Sequence, residues 1–276
     1  MTGRTAARRP VVVPLLRAAH IGPAVAVTCV VALLALSRDV PATQAVLLCG
    51  AVITGQLTVG WGNDLLDEDR DRRVGRTDKP LANGDLARRL VVRCLWGAAA
   101  ATVVLSLLVG WRSGLVHLVL GVAAAHLYNL HLKTTAWSWL PYAVAFGSLP
   151  AGVTLAGDPA RLPPLWMPLV AAALGVAAHF LNALPDLAAD AATGVRGLPH
   201  RLGATASSVI ATALLVAGSA VAVLGPAGAP GGWAWPVLLV VVGLAAAALV
   251  GRGKLPFYAA IAIALLDVSL LTVVAR

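Results

Sequence analysis

The chain alternates between long apolar runs and short polar segments. Nine runs are long enough to cross a bilayer, which takes about 20 apolar residues per helix and roughly 17–25 in practice. They cover residues 20–37, 41–62, 91–110, 112–130, 137–156, 165–184, 204–224, 233–250 and 255–275. Because a backbone in lipid must satisfy its own hydrogen bonds, each run is predicted to be a helix. The pattern predicts an all-α, polytopic membrane protein with nine transmembrane helices in one domain, 1–276, in which residues 1–17 form a basic cytoplasmic N-terminal tail.

Composition narrows the function classes further. Hydrophobic residues make up 59% of the 276 residues and charged residues only 12%, and the mean hydropathy is +0.85. A soluble enzyme, a disordered chain and a nucleic-acid-binding protein are therefore excluded, despite a net charge of +9. The three cysteines, Cys29, Cys49 and Cys94, lie in apolar runs and suggest neither a disulfide framework nor a zinc site.

The basic residues fall almost entirely on one side of the predicted membrane. Seventeen of the 21 lysines and arginines lie in segments on the side of the N-terminus. Only Arg38, Arg112, Arg161 and Arg276 lie on the other side. Since cytoplasmic loops carry the excess of Lys and Arg, the N-terminus is predicted to be cytoplasmic in an integral protein of the cell membrane. The two long charged loops, at about 63–90 and 185–203, are then cytoplasmic as well.

One acidic pattern occurs twice, each time where an apolar run ends at the cytoplasmic side. Both copies read Asn-x-x-x-Asp-x-x-x-Asp, with Asn63, Asp67 and Asp71 in the first and Asn182, Asp186 and Asp190 in the second. The copies are 119 residues and four predicted spans apart, so both face the cytoplasm. A spacing of four residues places the three side chains of each copy along one face of a helix.

Stacked carboxylates repel one another unless a cation lies between them. Two such faces at the mouth of a helix bundle supply the oxygen ligands that Mg²⁺ prefers. The alternative is that each motif is a solvated acidic helix end. Because two matched copies are present, this is the weaker interpretation. Basic residues follow the motif at Arg76 and Lys79, and another helix end carries Tyr128 and Lys133. Cations beside a carboxylate–Mg²⁺ site fit a diphosphate substrate.

These motifs resemble those of the UbiA superfamily of intramembrane prenyltransferases over nearly the whole chain. Members have nine transmembrane helices, a first motif N-D-x-x-D-x-x-x-D, a second motif D-x-x-x-D and a basic R-x-x-[KR]-P-L-x-x-G segment. The matching residues here are Asn63, Asp64, Asp67 and Asp71; Asp186 and Asp190; and Arg76, Lys79, Pro80, Leu81 and Gly84. The Tyr-to-Lys element of the family is matched loosely by Tyr128 and Lys133, with one extra residue between them.

The resemblance implies a Mg²⁺-dependent transfer of an isoprenyl group from an allylic diphosphate to a small aromatic, quinone-precursor or other nucleophilic acceptor. It implies that the diphosphate ionises to a carbocation, which the acceptor captures. The metal and catalytic ligands would be Asp64, Asp67, Asp71, Asp186 and Asp190, together with Asn63. The contacts to the substrate would come from Asn63, Arg76, Lys79, Tyr128, Lys133 and Asn182.

The chain departs from the family pattern in two places near the second motif. Pro185 precedes Asp186 and is expected to kink that helix end, and Gly197 stands where many relatives have threonine. Arg17 and His20 could meet an acidic acceptor, although Arg17 is better explained as a topology anchor. The role of Asp267, inside the ninth apolar run, stays open.

A terpene cyclase that uses the same site without an acceptor is the main alternative to transfer. A transporter is also compatible with repeats and intramembrane charge, but its acidic residues would be expected near the middle of the membrane. The length of the prenyl chain, the acceptor, the pathway and the oligomeric state leave no signature in the sequence.

Overall fold

The fold was analysed in a computed structural model that describes residues 11–187, 190, 194–250 and 255–273. A short helix, α1 (Val12–Ala18), precedes nine helices of fifteen or more residues within these ranges. They are α2 (Ile21–Ser37), α3 (Ala42–Arg73), α4 (Arg88–Val109), α5 (Trp111–Leu130), α6 (Leu140–Thr154), α7 (Trp166–Ala183), α8 (Leu198–Leu224), α9 (Ala234–Val250) and α10 (Leu255–Val273). The described residues contain no β-strand, which confirms the all-α prediction.

A helix lies at each of the nine places where an apolar run was predicted, but not all of them meet the length of a membrane span. Five helical segments are long and apolar enough, namely α3, α4, α5, α7 with the turn that follows it, and α8. Helices α1 and α2 qualify as a pair that is bent by 69°. The prediction is therefore confirmed as an all-helical fold with five or six candidate spans among the described residues. The segment predicted as a tail contains α1.

Helices that follow each other along the chain pack side by side. The most extensive contacts join α3 to α4, α6 to α7 and α7 to α8, and α10 packs against α2, α7 and α8. One apolar cluster is centred on α2, α3 and α7, including Leu34, Val52 and Met167, and a second joins α7, α8 and α10 around Phe180 and Ile263. A third cluster holds the end of α1 against the C-terminal half of α3 and includes Ala18, Ala19 and Trp61.

Two helices depart from regular geometry in ways that shape the site. Helix α5 is π-helical from Val116 to Ala123, between two α-helical ends, and such segments are frequent at functional sites. Helix α7 ends in a 3₁₀ turn, Leu184–Asp186, which contains Pro185. The regular α-helix therefore ends just before the proline, whereas the kink stays a prediction. Helix α3, in contrast, continues as a regular helix through the whole first acidic motif to Arg73.

Candidate active site

A cavity of about 500 Å³ opens at the helix ends that carry the two acidic motifs. Its mouth is lined by Asn63 and Asn182, the first residues of the two motifs, together with His20 and Tyr128. Its deeper walls come from α2, α3, α5 and α6 and are mostly apolar, with Val27, Val52, Val59, Phe146 and Leu149 among the lining residues. The two copies of the motif therefore converge on one cavity that is polar at one end and apolar at the other.

The helical spacing of the first motif buries its carboxylates on a single face of α3. Asp64, Asp67 and Asp71 are only 2%, 6% and 3% exposed. Asp69, between them in sequence, points away from this face, and its side chain is 90% exposed. A solvated acidic helix end would leave all of these side chains in water, so the burial of three carboxylates contradicts that interpretation.

Lysines from distant parts of the chain neutralise these carboxylates. Nζ of Lys79 donates to Oδ1 of Asp64 over 2.7 Å. Lys133, which lies 66 residues beyond Asp67 in the chain, donates to Oδ1 of Asp67, and Arg70 lies 2.8 Å from Oδ2 of the same carboxylate. Both lysines were predicted as substrate contacts, and the structure brings both to the acidic face.

Arg76, the third predicted cation, is held by its own loop. Its Nε and Nη2 donate to the two carboxylate oxygens of Asp78, each over 2.8 Å. This bidentate pair raises the pKa of Arg76 above its ordinary value, and the charges of Asp186 and Asp71 add to the effect. The same hydrogen bonds lower the pKa of Asp78 from 3.8 to about 2. Arg76 thus lies within electrostatic range of both motifs, although its guanidinium is directed at Asp78.

The second motif approaches the same region from α7. Asp186 ends the 3₁₀ turn, and Oδ2 of Asp190 lies 3.2 Å from Nε2 of His200. Tyr128 lies within electrostatic range of both Asp190 and Asp67, so it stands between the two motifs. Residues 188, 189 and 191–193, around Asp190, are outside the described part of the chain.

An aromatic cluster that sequence reasoning missed lies beside the mouth of the cavity. The ring of Tyr142 packs edge-on against Tyr128 with 5.2 Å between centroids, and it lies 4.7 Å from the ring of His179. Nε2 of His179 is hydrogen-bonded to Ser138 over 2.9 Å. His179 belongs to no motif of the sequence, and the cluster joins residues of α5, of α6 with the turn before it, and of α7, so only the fold reveals it.

A second missed feature is the corner between α1 and α2. His20 occupies the left-handed region, with φ 52° and ψ 51°, a conformation that is uncommon for residues other than glycine and that clusters at functional sites. Nε2 of His20 lies 3.2 Å from Nζ of Lys79 and 3.6 Å from Oδ1 of Asp64. The corner is held by α3, where Nε1 of Trp61 donates to the carbonyl of Leu15 over 3.0 Å. His20 therefore lines the cavity, whereas Arg17 is exposed and does not.

Within the described ranges, no three His, Cys, Asp or Glu side chains form a group that could hold a metal ion. Lys79 and Lys133 lie against two of the carboxylates instead. Asp267 lies apart from the cavity. It is fully buried and accepts a hydrogen bond from Ser219, which links α10 to α8.

Comparisons with known proteins agree with this architecture. Digeranylgeranylglyceryl phosphate synthase of Natronomonas pharaonis is 29% identical over 210 residues, which cover 71% of this chain and 73% of the synthase. A UbiA homologue from Aeropyrum pernix K1 superposes with a TM-score of 0.68 at 19% identity, covering 97% of this chain and all of the homologue. A UbiA homologue from Archaeoglobus fulgidus bound to DMAPP and Mg²⁺ gives a TM-score of 0.65 at 16% identity, over 94% of this chain and 99% of that chain.

The family assignment rests on a match over most of the sequence. The profile of the UbiA prenyltransferase family matches residues 24–271, which include α3 to α9, most of α2 and α10, and both acidic motifs. Its members are integral membrane proteins, in keeping with the apolar helices described here. The chain belongs to the UbiA prenyltransferase family and is a prenyltransferase, an enzyme that transfers alkyl groups.

Proposed function

We propose that the protein is a Mg²⁺-dependent prenyltransferase that moves an isoprenyl group from an allylic diphosphate to a small acceptor. The observation that carries this proposal is the convergence of both acidic motifs, through Asn63 and Asn182, on the mouth of one deep apolar cavity. An allylic diphosphate matches a cavity that is polar at one end and apolar at the other, because its diphosphate is strongly anionic and its isoprenyl chain is apolar. The bound DMAPP and Mg²⁺ of the Archaeoglobus fulgidus homologue support the same substrate class.

The residues at the mouth fit a magnesium ion. Oδ2 of Asp64 is buried and has no hydrogen-bond partner. No hydrogen bond therefore offsets the free-energy cost of removing this carboxylate oxygen from water. Carboxylate and amide oxygens are the ligands that Mg²⁺ prefers. The residues that would hold the metal ion beside the diphosphate are Asn63, Asp64, Asp67, Asp71, Asp186 and Asp190. When bound, Mg²⁺ supplies positive charge that stabilises the diphosphate as a leaving group.

The cations of the site stabilise the charge that develops during ionisation. When the bond between the allylic carbon and the diphosphate oxygen breaks, the electron pair stays with the diphosphate and the allyl group becomes a carbocation. Lys79 and Lys133 already lie on the acidic face, each within hydrogen-bond distance of a carboxylate. Arg76 reaches the diphosphate after it exchanges Asp78 for a phosphate oxygen. Preplaced cations such as the two lysines lower the barrier because they already lie near the charge that develops.

The aromatic cluster completes the site on the side of the apolar cavity. Tyr128 and Tyr142 both line the cavity, and they lie where the allylic carbon of a bound substrate would meet the polar mouth. Their ring faces attract a carbocation. The acceptor then attacks the allylic carbon, and its proton leaves once the new bond has formed. We propose an aromatic or quinone-precursor acceptor. Because the Natronomonas relative is a digeranylgeranylglyceryl phosphate synthase, a glyceryl phosphate is a second class of acceptor to be tested.

The proposed topology has nine transmembrane helices, a cytoplasmic N-terminus and an active-site mouth at the cytoplasmic surface. It is supported by the excess of Lys and Arg on the side of both motifs. A reporter fused after Arg276 should be active only outside the cytoplasm. A fusion that is active only in the cytoplasm would contradict this topology.

The activity is tested with the purified protein in lipid nanodiscs. The protein is incubated with dimethylallyl, geranyl, farnesyl and geranylgeranyl diphosphates, with and without aromatic and glyceryl phosphate acceptors, in Mg²⁺ or in excess EDTA. We expect Mg²⁺-dependent release of pyrophosphate and a prenylated acceptor in mass spectra. Release of a cyclic hydrocarbon without any acceptor would establish the cyclase instead. No consumption of any diphosphate would refute the proposal.

A further inference from the structure

The N-terminus of α8 is capped by a side chain from another part of the chain. The residue before this helix, Gly197, has no side chain that could accept a hydrogen bond from the first turn. Oγ of Ser138, in the turn before α6, accepts a hydrogen bond from the backbone N–H of Leu198 over 2.8 Å instead. Because the first N–H groups of a helix have no partner within the helix, Ser138 takes the place of an N-cap residue.

The segment before α8 lies directly on this turn. A Cβ atom at Gly197 would lie 2.8 Å from the carbonyl oxygen of Lys133 and 3.0 Å from Oγ of Ser138, so the close approach depends on the missing Cβ of glycine. Ser138 is 0% exposed, and its hydroxyl is also hydrogen-bonded to Nε2 of His179 on α7 over 2.9 Å. Ser138 therefore joins the start of α8 to α7 and to the turn that follows Lys133, the partner of Asp67.

The second acidic motif is attached to the same helix start. Nε2 of His200, in the first turn of α8, lies 3.2 Å from Oδ2 of Asp190. Since an ionised carboxylate only accepts hydrogen bonds, Nε2 carries the proton and donates it to Asp190. The side chain of His200 is 7% exposed, and its Nδ1 has no hydrogen-bond partner among the described residues. The backbone N–H of Val195 donates to the carbonyl of Asp190 over 3.0 Å, so this residue is held through both its backbone and its side chain.

We propose that Ser138 and His200 are positioning residues that hold Asp190 where it can share a metal ion with the first motif. The contacts run from Lys133, the partner of Asp67, to the turn at Ser138. They continue through the start of α8 and His200 to Asp190. Because hydrogen bonds to a ligating carboxylate fix its orientation, such contacts decide how well the two motifs meet at one ion. Asp190 is taken here as a metal ligand, so the role of both residues rests on the proposed function.

The test changes the serine and the histidine, each with its own control. Ser138→Ala removes the oxygen that caps α8. Ser113→Ala is its control, because Ser113 is also 0% exposed and donates to another helix, to the carbonyl of Gly152 over 2.6 Å, but stands at the opposite end of α5 from the cavity mouth. His200→Leu removes the donor to Asp190, whereas His200→Gln keeps an N–H group at a similar reach.

Two measurements in phosphatidylcholine nanodiscs separate a helix cap from a positioning role. Hydrogen–deuterium exchange of peptides that contain Val195 and Leu198, without added metal, reports how firmly the second motif and the helix start are held. Binding of Mn²⁺ alone, in place of Mg²⁺, is followed by the EPR signal of the free ion, with empty nanodiscs as the blank. Neither measurement requires turnover.

In Ser138→Ala, we expect exchange to be about 2- to 30-fold faster, the range for a lost helix cap. Binding of Mn²⁺ should be about 10- to 100-fold weaker, the range for a lost partner of a metal ligand. His200→Leu should weaken Mn²⁺ binding to a similar extent, and His200→Gln should restore most of it. Ser113→Ala should match the wild type in both measurements.

Faster exchange with unchanged Mn²⁺ binding in Ser138→Ala would reduce this residue to a cap of α8 and overturn the inference. Equal Mn²⁺ binding in His200→Leu and the wild type would also overturn it. If Ser138→Ala does not fold, the two His200 variants still decide the question. A wild type that binds no Mn²⁺ would count against the proposed function. Exchange at Val195 in His200→Leu would then decide whether His200 holds the second motif, and an unchanged rate would overturn that role as well.

Discussion

Replacing Gly60 with alanine tests how the α1–α2 corner is held at the active site. A Cβ atom at this position would lie 2.2 Å from the carbonyl oxygen of Ala19, 2.5 Å from its carbonyl carbon and 2.8 Å from its Cα. All three are backbone atoms, so no side-chain rotation relieves the overlap. The corner must move away from α3 by about 1 Å, and His20, the next residue, moves with it.

The size of the effect follows from two opposing contributions. Overpacking of a close contact costs about 1–3 kcal/mol, and loss of the hydrogen bond from Trp61 to Leu15 adds about 0.5–1.5 kcal/mol. The higher helix propensity of alanine returns at most about 1 kcal/mol. The net expectation is a destabilisation of about 0.5–4.5 kcal/mol, or a decrease of about 1–18 °C in the apparent Tm for a chain of this size.

The catalytic effect arises from the loss of the contact between His20 and Lys79. Because this contact fixes Nζ of Lys79 near Asp64, its loss should lower kcat/KM for the prenyl diphosphate by about tenfold, the equivalent of one hydrogen bond. Thermal unfolding and pyrophosphate release would be measured on the same nanodisc samples.

Gly97→Ala is the matched control, since no atom lies within 4 Å of the Cβ position on α4. This variant should be as stable and active as the wild type, or slightly more stable. If Gly60→Ala also kept the wild-type Tm and kcat/KM, the close approach of the corner to α3 would be refuted, together with the role assigned to His20.

Three further predictions concern the charged groups of the mouth. Lys133→Met should lower kcat/KM by about 10- to 150-fold, the value of a lost charge-assisted contact. Arg89→Gln, at an exposed position, should have no effect on kcat/KM. Equal losses in the two variants would show that only the overall positive charge matters. Asp67→Ala and Asp190→Ala should each abolish turnover, as should excess EDTA, and full activity in either variant would exclude a metal shared by both motifs. The folded-state pKa of Asp78 is lowered from 3.8 to about 2, so its ion pair contributes stability above about pH 4 that is lost as the pH falls toward 2. The difference in Tm between wild type and Asp78→Asn should therefore be constant from about pH 5 to 8 and vanish near pH 2, and a difference that changes near neutral pH would contradict this assignment.

Arg88, the neighbour of Arg89 at the start of α4, is unsuitable as a control for the cations of the mouth. Its guanidinium is paired with Glu68 and also reaches the carbonyl of Leu65. Arg88→Gln would therefore disturb the packing of α4 against α3, whereas Arg89 is exposed and serves the purpose better.

The positions of the helices were predictable because they depend on short-range properties of the sequence. An apolar run of membrane length forms a helix wherever it lies, since the backbone has no other hydrogen-bond partner in lipid. The shared face of the first motif was also predictable, because it depends only on the spacing of its residues along one helix. Three and four residues advance a helix by about one turn, so Asp64, Asp67 and Asp71 must share a side. The 3₁₀ turn that ends α7 at Pro185 is in keeping with the missing N–H of proline.

Only the tertiary structure decided which groups meet at that face. Lys133 reaches Asp67 across 66 residues, and His20 reaches Lys79 across 59. Neither pairing leaves a periodic signal, because it depends on how helices pack rather than on the spacing within one helix. The same holds for the cavity wall around His117, which is shared with residues of α3 and α6. Sequence therefore determined the helices and the acidic faces, while packing determined the cavity and its cations, since those depend on contacts between residues that are distant in the chain.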